Sequence, residues 1–254
     1  MSIFQYLLVS LAALAAGMIN ALAGGGTLLT FPTLVALGIP PVAANVTNTV
    51  ALCPGFIGGT LAQARDLKGQ ARRLWMIIPA GVIGGLIGGF LLLHTAEKIF
   101  RTLIPFLILG ASLLLAVQEP LRAWLVRRSA QNMSAPTPEG WAALPIGLAA
   151  IYGGYFGAGL SVIVLAVLGL VIEDSLTRLN AIKQALGLSI NTAAAIFFVF
   201  SGQVVWAVAA VMAVGALLGG SLGGRLAGRV RPATLRWIIV SIGVVVSIIY
   251  FVRG

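Results

Sequence analysis

The residues of this sequence that could bind a ligand lie in the stretch LTRLNAIKQALGLSINT, residues 176–192. Within it Asn180, Lys183, Gln184 and Gly187 fall at i, i+3, i+4 and i+7. That spacing places them on one face of a helix. Amides and an ammonium group bind oxyanions by hydrogen bonding and charge. The chemistry that this face offers is therefore non-covalent binding of an anion.

A second polar face occurs earlier, in PPVAANVTNTVALCPGFIGG, residues 40–59. Asn45 and Asn48 are three residues apart on it, and Thr47 lies beside them. Arg178 precedes the later face by less than one turn, at the mouth of the predicted helix. Together the two faces predict one site built from amides, hydroxyls and cations.

Two glycine-rich stretches interrupt apolar runs: NALAGGGTLLTFPTLVALGIPP, residues 20–41, and YGGYFGAGLS, residues 152–161. Each predicts a hairpin, in which the chain turns within an apolar segment and starts a second short helix. A helix N-terminus carries partial positive charge and binds anions through its N–H groups. Alternatively, the glycines serve close packing only. The candidate binding residues in these turns are Gly24, Gly25, Gly26, Thr27, Gly157, Gly159 and Ser161.

The composition is that of a protein embedded in lipid. Of the 254 residues 59% are hydrophobic and 9% are charged, whereas soluble domains are about 45–50% apolar and about 25% charged. Most of the apolar runs approach the ~20 residues that a helix needs to cross a bilayer. The net charge of +10 then reflects the excess of Lys and Arg in cytoplasmic loops, and no nucleic-acid partner is expected.

The sequence contains two similar halves. IGGLIGG at 83–89 and LGGSLGG at 218–224 are 135 positions apart, as are Arg101 and Arg236, and Asn48 and Asn180 are paired at an offset of 132. Residues 1–118 and 141–254 are therefore predicted to be two transmembrane repeats joined by a polar cytoplasmic linker, 119–140.

The distribution of Lys and Arg predicts that the repeats are inverted. Loop 63–73 is rich in Lys and Arg in the first half, whereas loop 225–236, with Arg229 and Arg231, is rich in the second. Placing both loops inside puts twelve of the sixteen Lys and Arg residues inside and three outside, with Lys183 in a span. The prediction is an all-α membrane protein of two inverted-topology repeats, each a broken intramembrane helical hairpin plus three full transmembrane helices. Both termini are expected outside.

The charged residues within the spans favour an anionic ligand. Lys183 is the one cation placed in a span, although a lysine near a helix end can also snorkel to the interface. No carboxylate lies deep in a span, and a cation transporter would be expected to bury one. The acidic residues fall in loops, in the linker or at a helix start: Asp66, Glu97, Glu119, Glu139, Glu173 and Asp174.

Several other functions are excluded by the sequence. The single histidine, His94, lies at the outer end of a predicted span, so neither a Ser-His-Asp arrangement nor a zinc site can form. No GxxxxGK[ST] loop is present, which argues against an ATP-driven pump. The protein is expected to be neither an enzyme nor dependent on a cofactor.

The stretches AGGGTLLTFPTLVALGIPPVAANVTNTVA and GYFGAGLSVIVLAVLGLVIEDSLTRLNAIK resemble the TauE/SafE family of sulfite and organosulfonate transporters. The resemblance covers essentially the whole chain. It implies a multi-pass transporter of the bacterial inner membrane that exports small sulfur anions such as sulfite, sulfoacetate or related organosulfonates. The second hairpin reads GAGLS where the first reads GGGT, so the two turns need not bind alike.

Other interpretations remain open at this point. The hairpins could line the pore of an anion channel, or the protein could be a permease that imports a different organic anion. A small membrane anchor for a partner is a third interpretation, but an anchor has no need of intramembrane hairpins. The GxxxG patterns suit either internal packing or a homodimer seam. Beyond these, the expected partners are the anion and the lipid bilayer.

Overall fold

The computed structural model describes residues 1–131, 142–172, 174–226 and 233–253, which form eleven helices and no strand. Of the residues discussed above, Glu139, Glu173, Arg229 and Arg231 lie outside the described part. The prediction of an all-helical protein is confirmed. The helices are α1 (Ile3–Leu22), α2 (Thr27–Ala36), α3 (Pro41–Ala62), α4 (Ala71–His94), α5 (Glu97–Ala116), α6 (Gln118–Gln131), α7 (Ala143–Tyr155), α8 (Leu160–Val171), α9 (Leu176–Phe200), α10 (Trp206–Leu226) and α11 (Ala233–Arg253).

Five of the described helices are long and apolar enough to cross a membrane: α1, α4, α5, α9 and α10. The shorter apolar helices include α2, α7 and α8, which have 10, 13 and 12 residues. At 1.5 Å per residue none of these three reaches across the ~30 Å of a hydrocarbon core. The chain is thus a multi-pass membrane protein that contains short helices next to full spans.

The first arms of the two hairpins differ in length. α1 has 20 residues, so it reaches the length of a span, whereas α7 has 13. Both helices end where glycine was expected to break them, at Gly24–Gly26 and at Gly157–Gly159. The chain then restarts as α2 and α8, so the two breaks themselves are confirmed.

The beginning of the predicted linker, 119–140, is helical. α6 covers residues 118–131 and its first turn is fixed to the rest of the protein by an ion pair. Glu119 Oε1 lies 2.7 Å from the NH1 atom of Arg236, whose side chain is buried at the start of α11. The sequence interpretation did not foresee this helix.

Glycines of α4 and α10 bring helices of the two halves into backbone contact. α10 packs on α1 and α3, and α4 packs on α7 and α9. A Cβ atom added at Gly220 of α10 would overlap the carbonyl oxygen of Gly55, and one added at Gly88 of α4 would overlap that of Ile151. The close approach expected from GGLIGG and GGSLGG is therefore used inside the protein.

α3 and α9, which occupy the same position in each half, run antiparallel to each other. Asn180 near the start of α9 donates a hydrogen bond to Gln63 just after the end of α3. Further along α9, Gly187 faces the ring of Phe56, which lies earlier in α3. Residue numbers therefore rise along one helix as they fall along the other.

Candidate functional site

Each hairpin break depends on glycines with positive φ. Gly24 and Gly25 have φ of 85° and 93°, and Gly157 and Gly159 have φ of 77° and 76°. Side chains with a Cβ rarely adopt this left-handed conformation. The breaks between α1 and α2 and between α7 and α8 follow directly from these residues.

The two breaks contact each other, although they come from different halves of the chain. A Cβ atom added at Gly24 would overlap the Cβ of Ser161, in the first turn of α8. The ring of Phe31 in α2 packs edge-on against Phe156 of the second break, with 5.3 Å between the ring centroids. We call this contact region, formed by residues 23–27 and 156–161, the hairpin junction.

Amide side chains bind the carbonyl groups at the ends of α1 and α7. Asn45 of α3 donates through Nδ2 to the carbonyl oxygen of Tyr155, at 2.8 Å. Asn180 of α9 donates to the carbonyl oxygen of Ala21, at 3.3 Å. The last carbonyls of a helix have no partner within the helix, so these amides satisfy them. By this criterion the counterpart of Asn180 is Asn45, at an offset of 135, and not Asn48 as the sequence pairing had it.

The starts of α2 and α8 leave backbone donors at the junction. The N–H of Gly26 is taken by Asn20 Oδ1, at 2.7 Å. The N–H groups of Thr27 and Ser161 have no hydrogen-bond acceptor among the described residues. Neither Gly26 nor Gly159 supplies a side-chain cap. The junction therefore presents buried N–H groups and the positive ends of two helix dipoles.

Lys183 lies on the face of α9 that carries Asn180. It is seven residues after the start of α9 at Leu176, which is about 10.5 Å of rise. Its side chain is 2% exposed. A lysine that snorkels extends its ammonium group out of the protein, so the structure places Lys183 inside the protein instead. Gln184 follows on the same face and is buried against Gly59.

Of the remaining predicted residues, one lies at the junction and two do not. Asn48 lies at the junction, where its Nδ2 is 3.5 Å from Thr27 Oγ1, a long hydrogen bond. Thr47 is turned away from it and accepts a hydrogen bond from the N–H of Val205, before α10. Arg178 is not brought to the junction, because its side chain is 40% exposed and pairs with Asp174.

Three polar residues that bind the hairpins directly, or bind Asn180, were missed by the sequence interpretation. Asn20, in the preceding helix α1, accepts a hydrogen bond from the N–H of Gly26. Gln118, at the start of α6, donates to the carbonyl oxygen of Ala23 at 2.7 Å. Gln63 accepts from Asn180. Asn20 is a polar residue in the apolar run that precedes the glycines, so the sequence alone could have indicated it as a candidate. Gln118 and Gln63 are separated from their partners by about a hundred residues, and nothing local marks them.

A separate cluster joins the start of α4 to the start of α9, away from the junction. Asp174 Oδ2 accepts hydrogen bonds from Gln70 and Arg73, both at 2.7 Å. Burial by itself would raise the pKa of Asp174. The hydrogen bonds from Gln70, the Ser175 N–H and Arg73, together with the charge of Arg178, outweigh burial and hold the pKa below its ordinary value of 3.8.

We predict that Asp174→Asn destabilises the protein at neutral pH. A carboxylate with a lowered pKa contributes stability above its ordinary pKa, and this contribution is lost as the pH falls through the folded-state value. The expected loss is about 1–3 kcal/mol, since the hydrogen bonds involve charged groups. Thermal unfolding of both proteins in detergent should show the difference at pH 5–7, shrinking below about pH 4. Glu97→Gln, an exposed carboxylate, is the control; an equal effect of both variants would contradict the prediction.

A cavity of about 660 Å³ lies beside the end of α2, outside the junction. Its lining is mainly apolar, from α2, α11 and the loop before α3, with Arg101 and Tyr250 as polar members. Arg101 thus borders an open cavity, whereas its sequence counterpart Arg236 is buried in an ion pair.

Apolar spans that contain internal breaks, with buried polar groups gathered where the breaks meet, are the architecture of a membrane transporter. The sequence profile of the sulfite exporter TauE/SafE family matches residues 9–250. The chain belongs to that family, which confirms the resemblance found in its hairpins.

Curated relatives have the same general description. A probable membrane transporter protein of Haemophilus influenzae is 28% identical over 80% of this chain and 77% of its own. The probable membrane transporter protein YfcA of Escherichia coli K12 is 27% identical over 81% and 74%. The probable membrane transporter protein ORF9 of a Sinorhizobium species is 27% identical over 82% and 77%. Transport is thus the shared description of these relatives.

Proposed function

We propose that this protein exports small sulfur-containing anions, such as sulfite, sulfoacetate or related organosulfonates, by alternating access at the hairpin junction. The observation that carries the proposal is the contact between the break before α2 and the first turn of α8, which come from different halves, at Gly24 and Ser161. Free N–H groups and two positive helix ends provide a site for an oxyanion. Lys183, buried on the adjacent helix, adds a full positive charge.

The two halves, 1–118 and 141–254, act in this proposal as inverted repeats joined by a cytoplasmic linker at 119–140. The antiparallel course of α3 and α9 supports the inversion. So does the exchange of partners, in which α10 packs on α1 and α3 while α4 packs on α7 and α9. In transporters of this design the site lies between the repeats, and one repeat moves against the other.

The proposed location is the bacterial inner membrane, with both termini outside. In a cell that is negative inside, moving one negative charge out gains ~2.3 kcal/mol per 100 mV. Export of a monoanion can therefore run without a coupled ion. We propose uniport, driven by the membrane potential and the substrate gradient.

The test is flux of sulfite and sulfoacetate in proteoliposomes, at imposed potentials of both signs and with chloride and sulfate as competitors. Saturable flux that follows the potential is expected. Flux that is linear in concentration and very fast would indicate a channel. Flux that persists at zero potential but requires a pH gradient would contradict uniport, and absence of flux for every sulfur anion would contradict the proposed substrate class.

We predict that Lys183→Met lowers this flux by about ten- to a hundred-fold, because a hydrogen bond to a charged group contributes about 1.5–3 kcal/mol. Methionine retains much of the length of the side chain without its charge. Lys98→Met, at an exposed position at the start of α5, is the matched control and should leave flux unchanged. Undiminished flux in Lys183→Met would show that Lys183 does not bind the anion, and the hairpin backbone would then be the binding site.

A further inference from the structure

Two buried amide oxygens of α3, beside the hairpin junction, have no hydrogen-bond donor among the described residues. They are the Oδ1 atoms of Asn45 and Asn48, and neither has a partner among the described residues. The two residues are 0% and 1% exposed. They lie three positions apart on α3, so they share one face of the helix.

The hydrogen bonds of these amides place their side chains beside the two hairpins. Asn45 Nδ2 donates to the carbonyl oxygen of Tyr155, at the end of α7. Reversing the amide would set oxygen against oxygen, so Oδ1 must point away from that carbonyl. Asn48 reaches Thr27 at the start of α2. The pair therefore spans the distance from the second hairpin to the first.

An unpartnered acceptor in this position conflicts with a ligand that is only an anion. Leaving a buried acceptor unsatisfied costs about 1–3 kcal/mol, and a bare oxyanion would add repulsion between oxygens. A metal cation would need more ligands, since hard cations take about six or more oxygens. Among the described residues, the unpartnered side-chain oxygens at the junction are those of Asn45, Asn48 and Gln118, which is still fewer than such a cation takes.

We propose that the ligand carries a hydrogen-bond donor next to its anionic group, and that Asn45 and Asn48 accept from it. The class comprises hydroxyalkanesulfonates and protonated oxyanions such as hydrogensulfite. The anionic end of the ligand accepts hydrogen bonds from the N–H groups of Thr27 and Ser161, and the O–H of the ligand donates to the amide oxygens of α3. This inference rests on the proposed function and determines which sulfur anions the site prefers.

The experiment compares two sulfonates of equal size in proteoliposomes, 2-hydroxyethanesulfonate and propanesulfonate, which differ by a hydroxyl in place of a methyl group. The wild-type protein is expected to transport the hydroxylated compound with about tenfold greater efficiency, as one net hydrogen bond of about 1–1.5 kcal/mol requires. Asn48→Leu should bring this preference close to one while propanesulfonate is still transported. Continued transport of propanesulfonate shows that the variant is folded.

Ser112→Ala is the control, because the Ser112 hydroxyl is also buried but donates within α5, to the carbonyl oxygen of Ile108. It should keep the preference. Equal transport of both sulfonates by the wild type would overturn the inference and leave the proposed function intact. A preference that survives in Asn48→Leu would overturn it as well, and so would flux that requires Na⁺. No flux of any sulfonate or sulfite would overturn the proposed function itself.

Discussion

Replacing Gly24 with alanine is expected to reduce transport by at least about a hundred-fold. The φ of Gly24 is 85°, a conformation that costs an L-residue roughly 1–2 kcal/mol. In addition, the new Cβ would overlap the Cβ of Ser161, so the two hairpins would have to separate. Both changes displace the N–H groups that are proposed to bind the anion. Flux of sulfite in proteoliposomes is the measurement, with size-exclusion profiles to verify folding.

Gly38→Ala is the matched control for this substitution. Gly38 has a similar φ of 90°, but a Cβ there would meet nothing within 4 Å. The control therefore carries the backbone strain without the contact between hairpins. Transport that falls equally in both variants would show that strain alone accounts for the effect, and contact of the breaks would then have no role in transport.

The breaks could be predicted from the sequence because their cause is local. Glycines adopt positive φ readily, and a cluster of them within an apolar run can be recognised without knowing the fold. The helix lengths on either side follow in the same way from the apolar runs. The helix at 118–131 could not be recognised, because a polar stretch with a proline near its start resembles a loop.

The candidate site was predicted only in part because its partners are distant in the chain. On the polar face of α9, Lys183 and Gln184 are buried and Asn180 is half-buried. This face could not indicate that Asn180 binds the end of α1, since that contact joins opposite halves. The sequence predicts Arg178 as part of the site because it is a cation near this face. The structure instead pairs it with Asp174, and no periodicity distinguishes those two outcomes.

The glycine patterns of α4 and α10 illustrate a further limit of the sequence. A GxxxG pattern indicates that some helix approaches closely, but it does not name the helix. In the structure, α10 brings α1 and α3 together along one glycine-rich surface. α1 and α3 both belong to the first half, whereas α10 belongs to the second. The same glycines therefore hold the halves together, and their substitution should affect the whole fold.

We accordingly expect Gly220→Val to destabilise the protein more than any other single change considered. Its Cβ would overlap the backbone oxygen of Gly55, which cannot rotate away as a side chain can. Overpacking typically costs about 1–3 kcal/mol, and a backbone clash at the centre of an interface belongs at or above the upper end. The yield of monodisperse protein and its thermal unfolding temperature in detergent should both fall sharply.

Gly110→Val separates this clash from the effect of valine in a helix. Gly110 lies within α5, and a Cβ there would meet nothing within 4 Å. Valine has a modestly lower helix propensity than alanine but a higher one than glycine, so the control should match or exceed the wild type in stability. If Gly220→Val is as stable as Gly110→Val, α10 does not approach α3 at this position. The packing of the two halves described above would then be wrong at its most crowded point.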